Sequence, residues 1–438
     1  MTNGKTRNLR INFAVPRILE PRRLVSGSII GFWILSFGFP AFALKPVVPS
    51  HLLLRVSGNP VPRDFLIDTA VSEIERSLVL DKETSFEVEA DKIAAPEYLA
   101  ESLSTLLAVP VKVIPPEGKS LLKWVSVEII NEPLEEKADD YLIVSNNPEI
   151  IPQAGVLFTS EIKSGDSARF LYFHRVKAQD SFDLTTSLKN SSPVTAEVFL
   201  IRAIGGPDSD GIFAGHMATM RFLDAMRYRS GQIIEVPPKN EVPLSSQRLL
   251  KRKEIASGIF RVRLLKGEAL TLKVEARKGT AEALPFITSA AGDRRSADHF
   301  PSPEIYLEKS YQVSKGSLEI RLGEKPAKKS LDGNILIGNY GALHRIQLKL
   351  INDLPEVKSV KLSYGAAGGL TRGVFVVEGQ IYETGLLGSK VKEEEVLSLE
   401  LPPRTTKNLI LLTMPQPGVY YPTNLILRTC ASKLSKGK

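Results

Sequence analysis

Residues 182–200 read FDLTTSLKNSSPVTAEVFL and residues 346–364 read IQLKLINDLPEVKSVKLSY. In the first stretch Phe182, Leu184, Thr186 and Leu188 share one side of a period-two pattern. Asn190-Ser-Ser-Pro193 interrupts it, and Val194, Ala196, Val198 and Leu200 resume it. In the second, Ile346, Leu348 and Leu350 lead to Asn352-Asp-Leu-Pro355 and then to Val360, Leu362 and Tyr364. Alternation with period two predicts strands. Asn-x-x-Pro predicts the turn between them, because Asn bonds its own backbone or accepts a left-handed conformation and Pro starts the next strand at an edge.

Working outward, more landmarks recur in the same order. His174-Arg175 precedes the first stretch and His344-Arg345 the second, and Gly205-Gly206 and Gly368-Gly369 follow them. Val236-Pro237-Pro238-Lys239 is echoed by Leu401-Pro402-Pro403-Arg404, and Gly258-Ile-Phe260 by Gly418-Val-Tyr420. The Asn-to-Gly spacing is 15 and then 16 residues, and Asn to the first Pro of the pair is 47 and then 50. The His-to-Asn spacing differs more, 16 against 8. The pattern predicts an internal duplication. The expected fold class is mainly β, with two Ig-like or related β-sandwiches at residues 155–275 and 330–430, preceded by a small α+β unit at 45–150. Residues 276–329, rich in charge and proline, read as a connector.

In the α+β unit, Tyr98, Leu99, Leu103, Leu106 and Leu107 after Pro96 have helical spacing. Phe86–Ala90 and Val109–Val113 alternate as strands, so a strand-helix-strand is expected there. This piece resembles small N-terminal modules of bacterial envelope proteins, such as the copper-amine-oxidase N-terminal-like and secretin-associated domains. The landmarks of residues 155–430 resemble those of uncharacterised exported bacterial and cyanobacterial proteins with duplicated β-domains, a group that implies no activity and no site residues.

The net charge of +8 is concentrated at the start of the chain. Residues 1–43 carry Lys5, Arg7, Arg10, Arg17, Arg22 and Arg23 against Glu20, and the other 395 residues carry 51 basic and 48 acidic side chains. That balance leaves no field suited to nucleic acid. After the basic start, Leu24–Phe39 is uncharged and mostly apolar, followed by Pro40 and Ala41-Phe42-Ala43. This is the pattern of a signal peptide, with cleavage expected after Ala43. The alternative is an uncleaved signal anchor, the one case in which a membrane would be a partner. Cys430 is the single cysteine, so an exported chain would have no internal disulfide.

Four groups of residues invite chemistry. Asp208 and Asp210 with Gly211 resemble half of a calcium loop, although a distal bidentate Glu is missing; the commoner reading is a polar turn. His216, Met217 and Met220 offer imidazole and thioether groups suited to copper. The commoner reading of Met217, Met220, Leu223 and Met226 is a helix packed on a sheet. Tyr420 and Tyr421 are the aromatic pair to which a sugar face could stack. Asp293, Asp298 and His299 make a local acid-base group on a polar loop. No nucleophile elbow or zinc-protease motif is present in the sequence. The expected role is a non-enzymatic binding or scaffolding component of the cell envelope that needs no cofactor, with an envelope protein or wall glycan as partner. An envelope enzyme acting on glycan or peptide is the alternative, and a copper- or calcium-binding protein a third.

Overall fold

The computed structural model describes residues 46–80, 84–146, 149–176, 181–249, 253–278, 298–326, 329–330 and 333–430. The leader and its expected cleavage point lie outside them, as does Asp293. The chain forms two compact units. One comprises Val61–Asn131 with the described residues up to Arg55, and the other comprises Val56–Pro60 and the chain from Glu132 on.

The first unit contains β1 (His51–Ser57), β2 (Val61–Pro62), α1 (Arg63–Ser77), β3 (Ser85–Val88), β4 (Tyr98–Leu99), β5 (Ser104–Ile114) and β6 (Leu121–Asn131). Its main sheet has the order β1-β6-β5-β3, and β2 pairs with β4. One face is dry: Leu107, Val109, Val111 and Val113 of β5 and Val125, Val127 and Ile129 of β6 are buried. The helix expected at 98–107 is not there. The leucine spacing that suggested it runs into a β-branched, alternating segment, and ten consecutive antiparallel pairs with β6 hold residues 104–113 extended. Leu103 and Leu106 stay exposed as a result. The helix of this unit is α1, which buries Leu66, Ala70 and Ile74 at i, i+4 and i+8.

The second unit contains β7 (Tyr141–Ser145), β8 (Ile150–Ile151), β9 (Gly155–Lys163), β10 (Ser167–Val176), β11 (Phe182–Lys189), β12 (Ala196–Asp208), α2 (Gly211–Tyr228), β13 (Gly231–Val236), β14 (Glu241–Leu249), β15 (Ile255–Lys266) and β16 (Ala269–Arg277). It continues with β17 (Asp298–Pro301), β18 (Glu304–Gln312), β19 (Ser317–Leu322), β20 (Leu343–Ile351), β21 (Lys358–Ala366), β22 (Val374–Val377), β23 (Gln380–Glu383), β24 (Glu393–Leu401), β25 (Thr406–Thr413) and β26 (Thr423–Cys430). The chain is mainly β, with two α-helices among the described residues. The expected connector is partly regular: β18 pairs with β20 and β19 with β26.

Four strand orders organise this unit: β17-β7-β10-β15-β12-β13, β14-β11-β16-β9, β18-β20-β25-β22-β23 and β19-β26-β21-β24. The first two feed one core, with Phe170, Val198 and Phe260 from one sheet and Leu188, Leu244 and Leu272 from the other. The last two feed a second core around Ile346, Leu348, Leu362, Tyr364 and Leu427. The order β10-β15-β12-β13 in the first half has the same form as β19-β26-β21-β24 in the second, and β11 lies beside β14 as β20 lies beside β25. Registers agree as well. Ala196 faces Val236 and Lys358 faces Leu401; Lys189 faces Glu241 and Ile351 faces Thr406.

Two of the landmark pairs do not correspond. His174 lies in β10, one strand before the Asn turn, whereas His344 opens β20, which itself leads into that turn. The unequal His-to-Asn spacing has this cause. Gly258 lies inside β15, while Gly418 precedes β26. The halves also differ at one strand: β16 stands between β11 and β9, antiparallel to both, whereas β18 pairs directly and in parallel with β20.

A third apolar cluster joins the halves. Leu171, Phe199, Ile201 and Ile259 come from the outer face of the first sheet, Ala218, Phe222 and Leu223 from α2, and Leu343, Val374, Val376 and Met414 from the second half. Strand β12 is therefore buried on both faces, and α2 lies between two sheets.

Candidate functional site

The seam around α2 gathers the polar groups that distinguish this unit. Asp210 caps the helix, its Oδ1 accepting from the amides of Ile212 at 2.9 Å and Phe213 at 3.2 Å, and Asp208 Oδ1 accepts from the Asp210 amide at 2.8 Å. Both carboxylates thus satisfy backbone donors, as a turn followed by an N-cap requires. Arg229 ends the helix at φ 55°, in the left-handed region. On the helix side facing β12, Gly205 allows close approach: a Cβ there would lie 1.9 Å from the Ala214 carbonyl oxygen. On the opposite side, a Cβ on Gly215 would lie 1.9 Å from the Pro417 carbonyl oxygen.

His216 is fully buried in this seam. Its Nε2 lies 2.5 Å from Glu383 Oε2 at the end of β23, and its Nδ1 lies 3.2 Å from Gln416 Oε1. Burial pushes the imidazole pKa down, and the Glu383 hydrogen bond offsets only part of that. A neutral ring donating from Nε2 to Glu383 needs a donor opposite Nδ1. The Gln416 amide, turned over, supplies it and gives a partner to its otherwise unbonded Nε2. Arg372 Nη2 stands 3.9 Å from the same Glu383 oxygen. The Gln416 backbone N–H donates to the Tyr421 hydroxyl at 3.1 Å, and the Tyr421 ring meets Tyr340 edge-on at 5.5 Å. Burial pushes the Tyr421 phenol pKa well up.

A second polar centre lies in the same unit. Arg169 is fully enclosed; it bonds the Asp139 carboxylate and the carbonyl of Gly341 at 3.0 Å, and lies over the Phe222 ring at 5.6 Å. Arg261 Nε binds the other Asp139 oxygen at 2.8 Å, and the Ser167 hydroxyl donates to it at 3.0 Å. Burial acts to raise the Asp139 pKa, but the two guanidiniums outweigh it and hold the carboxyl below its usual range. Glu304, 3.9 Å from Arg169, carries the chain of charge on to Arg345 at 2.8 Å.

The structure separates the residues that sequence reading grouped. His216 turns to Glu383 and Gln416, while Met220 and Met226 pack against the hydrocarbon cluster and Met217 is half-buried. Among the described residues no three His, Cys, Asp or Glu side chains are placed to hold a metal ion together. Tyr420 and Tyr421 diverge: Tyr420 is exposed and Tyr421 turns toward Gln416 and Tyr340. His299 meets the Ser160 hydroxyl at 2.9 Å and the Tyr141 ring at 5.0 Å. Glu383, Gln416, Asp139 and Arg169 escaped the sequence reading. Only Arg169 carried a local signal, a lone charge inside the apolar run Ala168–Tyr172.

No family model and no curated protein matches the chain. Among solved structures, it is similar to tripeptidyl peptidase 2 at 9% identity, covering 83% of this chain and 38% of that one, with a TM-score of 0.17. It is similar to Lac15 from a marine microbial metagenome at 12% identity, covering 86% and 87%, with a TM-score of 0.13. It is also similar to the PBSX exported protein XepA at 8% identity, covering 64% and 86%, with a TM-score of 0.17. Likeness at these scores carries no functional argument.

Proposed function

We propose that this chain is a non-enzymatic exported protein of the cell envelope that acts as a binding or scaffolding module. Its second unit is read as two Ig-like sandwich repeats fused through α2. The agreement of strand order and register on both sides of Asn190 and Asn352 supports the duplication. The observation that carries the functional reading is the use made of the buried ionisable groups. Arg169, Asp139, Arg261 and His216 are all committed to bonds inside the protein, several of them joining the halves. Recognition then falls to strand edges and loop ends, where a partner adds a strand or meets an exposed ring such as Tyr420. The partner class is an envelope protein or wall glycan, and no cofactor is required.

Cross-linking in native cells, followed by capture of the tagged chain, tests this reading. Recovery of a defined envelope protein or of wall glycan is the expected result. The His216–Glu383 pair favours one other reading, an envelope enzyme acting on glycan or peptide. Turnover of such a substrate by the purified chain, lost in Glu383→Gln, would replace the scaffold. Stoichiometric copper or calcium by elemental analysis of protein from metal-supplemented cells would replace it with a metal carrier.

A further inference from the structure

The two halves of the second unit differ by one strand, and the difference leaves a place beside β20. By chain order and pairing, β18, β19 and β20 stand where β9, β10 and β11 stand. β19 lies beside β26 as β10 lies beside β15, and β20 leads into Asn352 as β11 leads into Asn190. In the first half β16 separates β9 from β11 and runs antiparallel to both, so those two strands point the same way. β18 and β20 also point the same way, but they pair directly, from Glu304 opposite Leu343 to Gln312 opposite Ile351. Drawing one strand out of the first arrangement gives the second.

β18 fills the place of β16 poorly. Leu184, Thr186 and Leu188 of β11 face Ala276, Val274 and Leu272 of β16, all three buried. At the matching distances before Asn352, Ile346, Leu348 and Leu350 face Leu307, Lys309 and Tyr311. The exposed Lys309 thus stands where Val274 stands, beside the buried Leu348. Whereas β9 buries five of its nine residues, β18 buries only Tyr311. Two ties near its ends hold β18 in place: Glu304 bonds Arg345 at 2.8 Å, and the Tyr311 hydroxyl meets Thr429 Oγ1 at 2.7 Å.

We propose that an extended segment of an envelope protein, apolar at alternate positions, enters between β18 and β20, antiparallel to both, and completes the second sandwich. Because the flanking strands are parallel, it fits without reversing either. β18 steps outward by one strand spacing, about 4.8 Å. The two ties are exchanged for a second ladder of backbone bonds and for apolar side chains set beside Ile346, Leu348 and Leu350. The inference rests on the binding reading of this chain and names where the partner's strand goes.

The probe is the chain's own template, a fluorescent peptide of Ala269–Arg277, ALTLKVEAR. The full chain should take it up saturably, and a peptide carrying Leu272→Asp and Val274→Asp should not bind. Glu308 and Gln347 are exposed and paired in register, so Glu308→Cys with Gln347→Cys, in a Cys430→Ser background, closes a disulfide between β18 and β20. Oxidation should weaken uptake by about tenfold or more, and reduction should restore it. No uptake by the parent chain, or uptake indifferent to the lock, overturns the proposal. Uptake seen only after removal of residues 431–438 also overturns it and gives the place to the chain's own tail. Dimers that the lock abolishes overturn it as well and give the place to β16 of a second copy. Failure of cross-linking in native cells to capture any envelope partner defeats the functional reading, whereas a partner held equally by locked and unlocked chains defeats only this inference.

Discussion

Asn190 and Asn352 make the same bonds at the same places. Each Oδ1 accepts from the amide two residues on, Ser192 at 2.9 Å and Leu354 at 3.1 Å. Each Nδ2 donates to the carbonyl four residues on, Val194 and Glu356, both at 2.8 Å. Each also donates to the residue before the distant proline pair, Val236 at 2.9 Å and Leu401 at 3.0 Å. One buried amide thus closes its own turn and ties it to a strand end about fifty residues away.

Replacing either asparagine by alanine should therefore cost about 2–4 kcal/mol, since two buried carbonyls lose a donor. Asn190→Asp and Asn352→Asp should cost a similar amount, because a carboxylate cannot donate. Chemical denaturation of the four variants measures this, and equal losses at the two sites are expected if the turns are equivalent.

Acid should destabilise the protein through its buried histidines. Burial lowers the His344 pKa to about 4, below the value near 6.5 of an unfolded chain. The unfolded state takes up that proton first, so the contribution is whole above about pH 6.5 and is lost as pH falls toward 4, about 3 kcal/mol in total. The His216 pKa is lowered as well, chiefly by burial, and its contribution is lost in the same direction. Stability measured across this range should fall less steeply in His344→Gln, and a parallel slope would contradict the assignment.

Asp139→Asn should be more damaging than any surface change. It leaves Arg169, fully buried, and Arg261, nearly so, without their shared carboxylate, and breaking a buried pair on one side costs about 3–5 kcal/mol. Lys112→Ala, which removes a partly exposed pair with Glu87, should change stability by less than about 1 kcal/mol. Thermal melting of the two variants compares them.

Gly215→Ala tests the seam. The added methyl meets the Pro417 backbone, so either α2 or the 417–418 turn must move, at about 1–3 kcal/mol. Limited proteolysis should then cut between the halves at a lower protease dose than in the parent protein.

The sequence disclosed what is local. Asn-x-x-Pro and the Pro-Pro pairs recur with the strands they terminate, because a turn's chemistry is written within a few residues. His-Arg did not correspond, because two residues carry too little information to mark a strand. Leu99, Leu103 and Leu106 suggested a helix because spacing alone cannot register the ladder that β6 imposes. The seam was hidden for a third reason. His216 and Glu383 are 167 positions apart, and neither residue's neighbours announce the other.

The double burial of α2 has a consequence in time. The helix is complete at Tyr228, but the residues that dry its far side, from Leu343 to Met414, are synthesised well over a hundred residues later. At about 5–20 residues per second, the nascent chain carries that side uncovered for on the order of ten seconds. A growing chain therefore leaves the side of α2 at Gly215 and His216, which meets Pro417, Gln416 and Glu383 in the finished protein, open to chaperones and proteases until its C-terminal half arrives.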